Sequence, residues 1–258
     1  MRAAFSPSYR GRLTDRDLDR FPDDTLFHRI ARAVCHAGCL PRKELYESWE
    51  MARRVRRLLR GGRVVDLAGG HGLLAQVMLL LDDSSPDALV VDTTLPPSSA
   101  TLHEVLAREW PRLTGRVSFV TSRIDAIDLD AGADTRCTSG GPEGPPLQLP
   151  RPERRDEGAD LQVRPILVSS HACGALTDQV LDRAIAARAR VALLPCCHDF
   201  ETCDDGGLAG WVDRALAIDV TRAVRLERQG YRVWTQTIPS EITPKHRLLL
   251  GEPLNGRP

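Results

Sequence analysis

From Arg63 onward the chain alternates short apolar runs with longer stretches whose apolar residues recur every three or four positions. The short runs predict strands at 63–67, 88–93, 117–122, 165–171 and 190–196. The longer stretches predict helices at 72–81, 98–109, 175–188 and 207–228. Helices between successive strands act as crossovers, so these strands should lie parallel. Two last segments, 231–238 and 246–250, stand too close for a helical crossover and should pair antiparallel. The pattern therefore predicts an α/β protein built on a mostly parallel seven-stranded sheet closed by an antiparallel C-terminal hairpin.

Before Arg63 the pattern is helical. Asp23-Asp24-Thr25 can cap a helix carrying Leu26, Ile30, Ala31, Val34 and Cys35 and ending near Gly38. Pro41 suits the first turn of a second helix, which should run to Gly61-Gly62. Its glutamates Glu44, Glu47 and Glu50 come early and its arginines Arg53, Arg54, Arg56, Arg57 and Arg60 late, matching the helix dipole. The arginine run reads as a solvated face, with RNA phosphates as the alternative contact. Residues 1–22 are polar and read as an arm. Two regions follow: an N-terminal arm and helical extension at 1–60, and a ligand-binding domain at 61–258. Within the latter, residues 131–163 are rich in glycine, proline and charge, and are expected to be a disordered insertion.

Composition narrows the field without deciding it. The 258 residues are 42% hydrophobic and 27% charged, as in ordinary globular domains. Thirty-five basic residues balance 35 acidic ones, so a nucleic-acid partner would need a local patch. One candidate is Ile242-Thr243-Pro244-Lys245-His246-Arg247, which reads equally as a solvated hairpin end. Every apolar run falls well short of the roughly 20 residues a membrane span needs. Seven cysteines without a secretory leader do not make a disulfide framework, and Asp15, Asp17 and Asp19 disfavour a mitochondrial presequence. The expected address is the cytoplasm, with no membrane partner.

The chemistry concentrates at strand ends. Val64-Val65-Asp66-Leu67-Ala68-Gly69-Gly70-His71-Gly72 is a strand, an acid and a glycine turn opening onto a helix. Backbone at Ala68, Gly70 and Gly72 can approach a ligand closely, and the helix N-terminus offers N–H groups to an anion. Asp66, placed before the glycines, suits a cationic amine. S-adenosylmethionine carries both a carboxylate and an amine. Asp92, ending the second strand, would take its ribose hydroxyls, and Asp125, after the third, its adenine amino group. The same glycines match a dinucleotide fingerprint with Asp92 as the ribose acid, so an NAD-dependent oxidoreductase is the rival reading.

A second constellation follows the fourth and fifth strands: His171-Ala172-Cys173-Gly174 with Thr177-Asp178, then Pro195-Cys196-Cys197-His198. These two motifs, in this order after the glycine turn, resemble a branch of class I S-adenosylmethionine-dependent methyltransferases. That branch includes the catalytic domains of tRNA ribose 2′-O-methyltransferases and related methyltransferase-like proteins. The resemblance spans about residues 41–253. It implies a Rossmann-like methyltransferase fold, S-adenosylmethionine as cofactor, and RNA as an acceptor.

On this reading His171 is the first candidate base for a hydroxyl acceptor, Asp178 orients it or the substrate, and His198 is the second candidate. Cys173 belongs to the same catalytic set. Cys196 admits thiolate addition to a pyrimidine ring, for which the resemblance gives no support. Cys35 and Cys39 with His36, and Cys196, Cys197 and His198 with Cys203, hint at zinc, but neither group has paired knuckle spacing, and no metal is expected. A non-catalytic scaffold that retains the cofactor pocket is the remaining alternative.

Overall fold

The computed structural model describes residues 6–129 and 163–254. Apart from Val163, the insertion expected at 131–163 lies outside the described residues, as does Asp130.

Two helices lead. α1 (Leu26–Ala37) starts where Thr25 accepts a hydrogen bond from the His28 N–H, and ends at Gly38 in the left-handed conformation. α2 (Arg42–Leu58) follows Pro41. The expected polar arm differs from what is seen. Leu13 and Phe21 are fully buried, Arg12 bridges to Pro41, and the Leu13 N–H donates to the Leu40 carbonyl. Two apolar anchors eight positions apart suffice to dock a segment whose composition is otherwise polar. The arginine run is not uniformly solvated either. Arg56 is buried, 3.2 Å from Asp82 and bonded to Ser85, while Arg53 and Arg54 pair with Glu50.

The α/β part then runs β1 (Val64–Leu67), α3 (Leu73–Leu81), β2 (Ala88–Asp92), α4 (Ser98–Glu109), β3 (Val117–Thr121), β4 (Ile166–Ser169), α5 (Ala175–Ala186), β5 (Arg190–Leu193), α6 (Arg214–Arg228), β6 (Tyr231–Thr237) and β7 (Arg247–Pro253). These elements agree with the hydrophobic pattern to within a few residues, except that α6 begins at Arg214 rather than near 207. Asp213 caps it there by accepting from the Leu216 N–H.

The sheet order is β3-β2-β1-β4-β5-β7-β6. β7 is antiparallel to both neighbours, and the remaining pairs are parallel. A dinucleotide-binding sheet instead ends 4-5-6 with all strands parallel. Insertion of a reversed seventh strand between β5 and β6 is the Rossmann-like methyltransferase arrangement that the motifs imply.

Alternation along each strand builds two cores. Val64, Val90, Ile166 and Val168 face α1 through α4, and Val65, Leu67, Val91, Leu167 and Val191 face α5 and α6. Both leading helices therefore share a core with the sheet. Chain order reverses between β1 and β4, which opens a crevice at their carboxyl ends.

Candidate active site

Parallel register brings the polar strand ends to one edge. Asp66 lies opposite Val90 and Val168, and Asp92 opposite Thr121. Beyond β1 the chain turns through Ala68, Gly69, Gly70 and His71. Ala68 adopts φ +56°, an unusual conformation for a residue with a Cβ. Gly72 needs its freedom doubly. It sits at φ +71°, and a Cβ there would stand 2.7 Å from Val90 and 3.0 Å from Phe119. Gly70 instead faces open space, and its N–H donates to an Asp92 oxygen at 3.0 Å. The other Asp92 oxygen accepts from the Thr94 N–H.

Ala68 and Asp92 line a cavity of about 220 Å³ together with Thr93, Ser122, Ile124 and Gln179. Arg123 and Leu176 complete it. A larger, mostly apolar cavity of about 470 Å³ opens between α6 and the β6–β7 pair, and includes none of the glycine turn. The smaller one lies at the carboxyl ends of β1 and β2, with Asp92 as the acid in its lining.

Asp66 is 1% exposed, and among the described residues its carboxylate has no well-formed hydrogen bond, the Ala75 N–H offering only a weak one. Burial pushes its carboxyl up from 3.8 to about 8, the Ala75 N–H opposes the shift, and the charges of Glu44 and Asp92 add to it. A Cβ on Gly69 would come within 2.9 Å of its carboxyl carbon, so the acid lies directly against the glycine turn. A buried carboxylate without a well-formed partner is costly, and an ammonium group is the natural complement. The residues present therefore fit an amino-acid-bearing nucleoside. Asp66 would face the amine of such a ligand and Asp92 its ribose hydroxyls.

The structure brings His171 to the same edge, just past β4. Its Nε2 lies 3.9 Å from a Glu44 carboxylate oxygen, and the side chain is partly exposed. Burial lowers its proton affinity, and the negative charges of Glu47 and Asp92 partly offset this. Glu44, from the first turn of α2, is itself pushed up to about 7, by burial first and by Glu47 second. His71 donates to or accepts from Ser98 at 3.0 Å, and feels the charge of His171.

Other candidates fall elsewhere. Asp178 does not orient His171, since both its oxygens accept from the buried Arg222, at 3.0 and 2.7 Å. The His198 side chain is 1% exposed, with Nε2 on Asp219 at 2.8 Å and Nδ1 buried without a partner. That placement seals it away from an acceptor. Asp125 is at the surface, held by Arg123 through two 2.9 Å contacts, and does not line the cavity. Cys173 does reach the edge. Its sulfur stands 2.7 Å from that of Cys196, with Cys197 beside them. Burial and the neighbouring thiols push the Cys196 thiol far up, which disfavours a free thiolate nucleophile there.

Sequence reasoning missed Glu44, Thr93, Ser122, Leu176 and Gln179. The first comes from the N-terminal extension and the last two from the exposed face of α5 that borders the cavity, so only tertiary packing reveals them.

The sheet order, the reversed seventh strand and the glycine crevice between acids define the class I methyltransferase architecture. A family profile described as a methyltransferase domain matches residues 43–200, more than half of the chain, and the chain belongs to that family. Residues 43–200 are thus a methyltransferase domain, and the crevice beside the glycine turn fits S-adenosylmethionine as its cofactor. The Xenopus laevis glutathione S-transferase C-terminal domain-containing protein is 27% identical over a stretch covering 34% of this chain and 20% of that protein. The chain thus spans about a fifth of that relative's length. Among solved structures, an O-methyltransferase family protein from Burkholderia thailandensis is 18% identical with a TM-score of 0.45, covering 93% of this chain and 64% of that one. The M. capricolum TrmK bound to S-adenosyl-homocysteine is 12% identical with a TM-score of 0.41, covering 78% and 65%. No helix among the described residues is long and apolar enough to cross a membrane.

Proposed function

We propose that this chain transfers a methyl group to a hydroxyl oxygen, with an RNA ribose as the acceptor and His171 as the residue that takes the acceptor's proton. The supporting observation is the position of His171: past the end of β4, partly exposed, with Glu44 3.9 Å from Nε2. When bound, S-adenosylmethionine supplies an electrophilic methyl carbon. A hydroxyl is a weak nucleophile until a base relieves it of its proton, and in-line attack gains most from fixed orientation. Glu44, once ionised, offers the imidazole a carboxylate oxygen 3.9 Å from Nε2. Asp66 and Asp92 hold the cofactor, and the apolar Leu176 and Ile124 exclude water from its cavity. RNA as the acceptor class rests on the resemblance of the two cysteine–histidine motifs. The cytoplasm as compartment is supported by six free cysteines among the described residues.

Incubating the protein with methyl-labelled cofactor and separated RNA, protein and metabolite fractions tests this. The label should enter RNA and survive nuclease digestion as a ribose-methylated nucleoside. Label confined to bases, protein or metabolites overturns the acceptor assignment. His171→Ala should keep cofactor affinity yet lose roughly 100-fold or more in turnover, the scale of a lost general base; unchanged turnover removes His171 from the mechanism.

A further inference from the structure

The methyl-transfer reading leaves one cluster unexplained. Cys173 follows β4, while Cys196 and Cys197 follow β5, and all three sulfurs lie within 4.8 Å of one another. Register produces the meeting: Ser169 pairs with Leu193, so each chain runs only a few residues past the sheet before its thiols face each other. The two loops are fastened together. The Gly174 N–H donates to the Cys197 carbonyl at 3.2 Å, and Ser169 Oγ accepts from the Ala172 N–H. Thr177 Oγ1 donates to the Ala172 carbonyl. Gly174 itself sits at φ +56°, ψ −126°, and a Cβ there would meet Asp199 at 3.0 Å. The turn that delivers Cys173 therefore depends on glycine.

We infer that Cys173, Cys196 and Cys197 form a site for a thiophilic divalent cation of the zinc class, bound by three sulfurs with a fourth position open to solvent. Thiolate ligands select zinc over calcium or magnesium, which prefer oxygen. At Zn–S of about 2.3 Å, tetrahedral geometry sets sulfurs about 3.8 Å apart. The cluster already meets this within about 1 Å, with Cys173 and Cys196 moving apart from 2.7 Å. Cys173 and Cys197 are exposed, so an ion has an entry path and room for a water or substrate atom. Cys173 also precedes the N-terminus of the twelve-residue α5, whose dipole favours the net negative charge of a three-thiolate site. Binding breaks three S–H bonds, forms three metal–sulfur bonds and releases three protons to solvent, with no change of oxidation state. His198 and Cys203 are not in the cluster. His198 is held by Asp219, and Cys203 lies against Asp178 and Arg222.

The test uses the full chain, fully reduced and stripped of metal. Zinc titrated against a chromophoric chelator should bind at one equivalent, and cobalt(II) should give tetrahedral d–d bands with sulfur-to-metal charge transfer. Zinc should also slow alkylation of Cys173 and Cys197, read by peptide mass spectrometry. Cys197→Ser, at an exposed position, should weaken zinc by more than the roughly 10–100-fold that loss of an outer partner brings, with circular dichroism confirming a folded chain. Absence of charge transfer, unprotected thiols, or undiminished affinity in Cys197→Ser overturns the site. So does a reduced protein that ignores zinc and forms only a Cys173–Cys196 disulfide on air exposure.

Discussion

Replacing Asp66 with asparagine should make the cofactor-free protein more stable at neutral pH while destroying its ability to bind cofactor. Asp66 is 1% exposed and has no well-formed hydrogen bond among the described residues, with its carboxyl pushed from 3.8 to about 8. The unfolded chain releases this proton above about pH 4, whereas the folded chain holds it until about pH 8. The folded state thus binds more protons in that window, and stability falls as pH rises through it. At about 1.4 kcal/mol per pKa unit, the loss reaches about 4 kcal/mol by pH 7. Asparagine does not titrate, but its buried amide lacks partners, at about 1–3 kcal/mol. The net gain at pH 7 is about 1–3 kcal/mol, or roughly 3–10 °C in Tm for a chain of this size.

Urea unfolding at pH 5, 6, 7 and 8 measures the effect. Glu44, pushed to about 7, adds its own slope in both proteins. The variant should therefore lose about one proton's worth of pH dependence, about 1.4 kcal/mol per unit. Cofactor binding supplies the second half. An amine entering beside Asp66 should expel its proton, so calorimetry at pH 7 in buffers of different ionisation enthalpy should register about one proton released by the native protein. Equal pH slopes in the two proteins would refute the burial argument. Unchanged cofactor affinity in Asp66→Asn would refute the placement of the amine.

Three further outcomes follow from single contacts. Gly70→Ala should cost only about 1–2 kcal/mol, from its φ of +53°, because the added Cβ meets nothing within 4 Å; cofactor affinity should fall well beyond that loss, and a dialysis binding assay with intact affinity would show that the turn does not face the ligand. Asp178→Ala removes the two-pronged partner of the buried Arg222, leaving it Asp219 at 3.5 Å and the Gly174 carbonyl, and should destabilise by about 1–3 kcal/mol in urea melts; a loss of turnover in a fully stable protein would instead point to a catalytic role for Asp178. Phe21→Ala should cost about 3–5 kcal/mol, since the ring is 1% exposed and packs edge-on against Phe27; a neutral result would restore residues before α1 to the status of a loose arm.

What the sequence disclosed follows from how far each signal travels. Val64 and Val65 face opposite cores, a consequence of strand alternation visible in two adjacent letters. The placement of Asp66 and Asp92 at one edge was readable because parallel strands deliver their carboxyl ends to the same side of the sheet. Asp125 and His198 obey the same rule in sequence but not in space. Each lies beyond its strand, where loop geometry decides, and Arg123 or Asp219 claims it. The pairing of Asp178 was hidden for a related reason: its partner Arg222 sits 44 positions away on α6, in a run that reads as an ordinary amphipathic helix.

Glu44 is the clearest case of information absent from local pattern. In the chain it is one of three glutamates favouring the start of a helix, and nothing distinguishes it from Glu50. Packing of α2 on the sheet buries it beside His171 and within reach of Asp66's charge. A carboxylate from the N-terminal extension is thereby coupled both to Asp66 and to His171, the residues proposed for the cofactor's amine and the acceptor's proton. Ionising Glu44 disfavours charge on Asp66 and favours it on His171. A cationic amine arriving at Asp66 relieves the first of these effects, so binding at the cofactor end should ease ionisation of Glu44 and strengthen the base at the other. On the proposed mechanism, Glu44→Gln should therefore lower turnover in the labelled-methyl assay while leaving the fold intact by circular dichroism; unchanged turnover would separate the extension from the chemistry of the crevice.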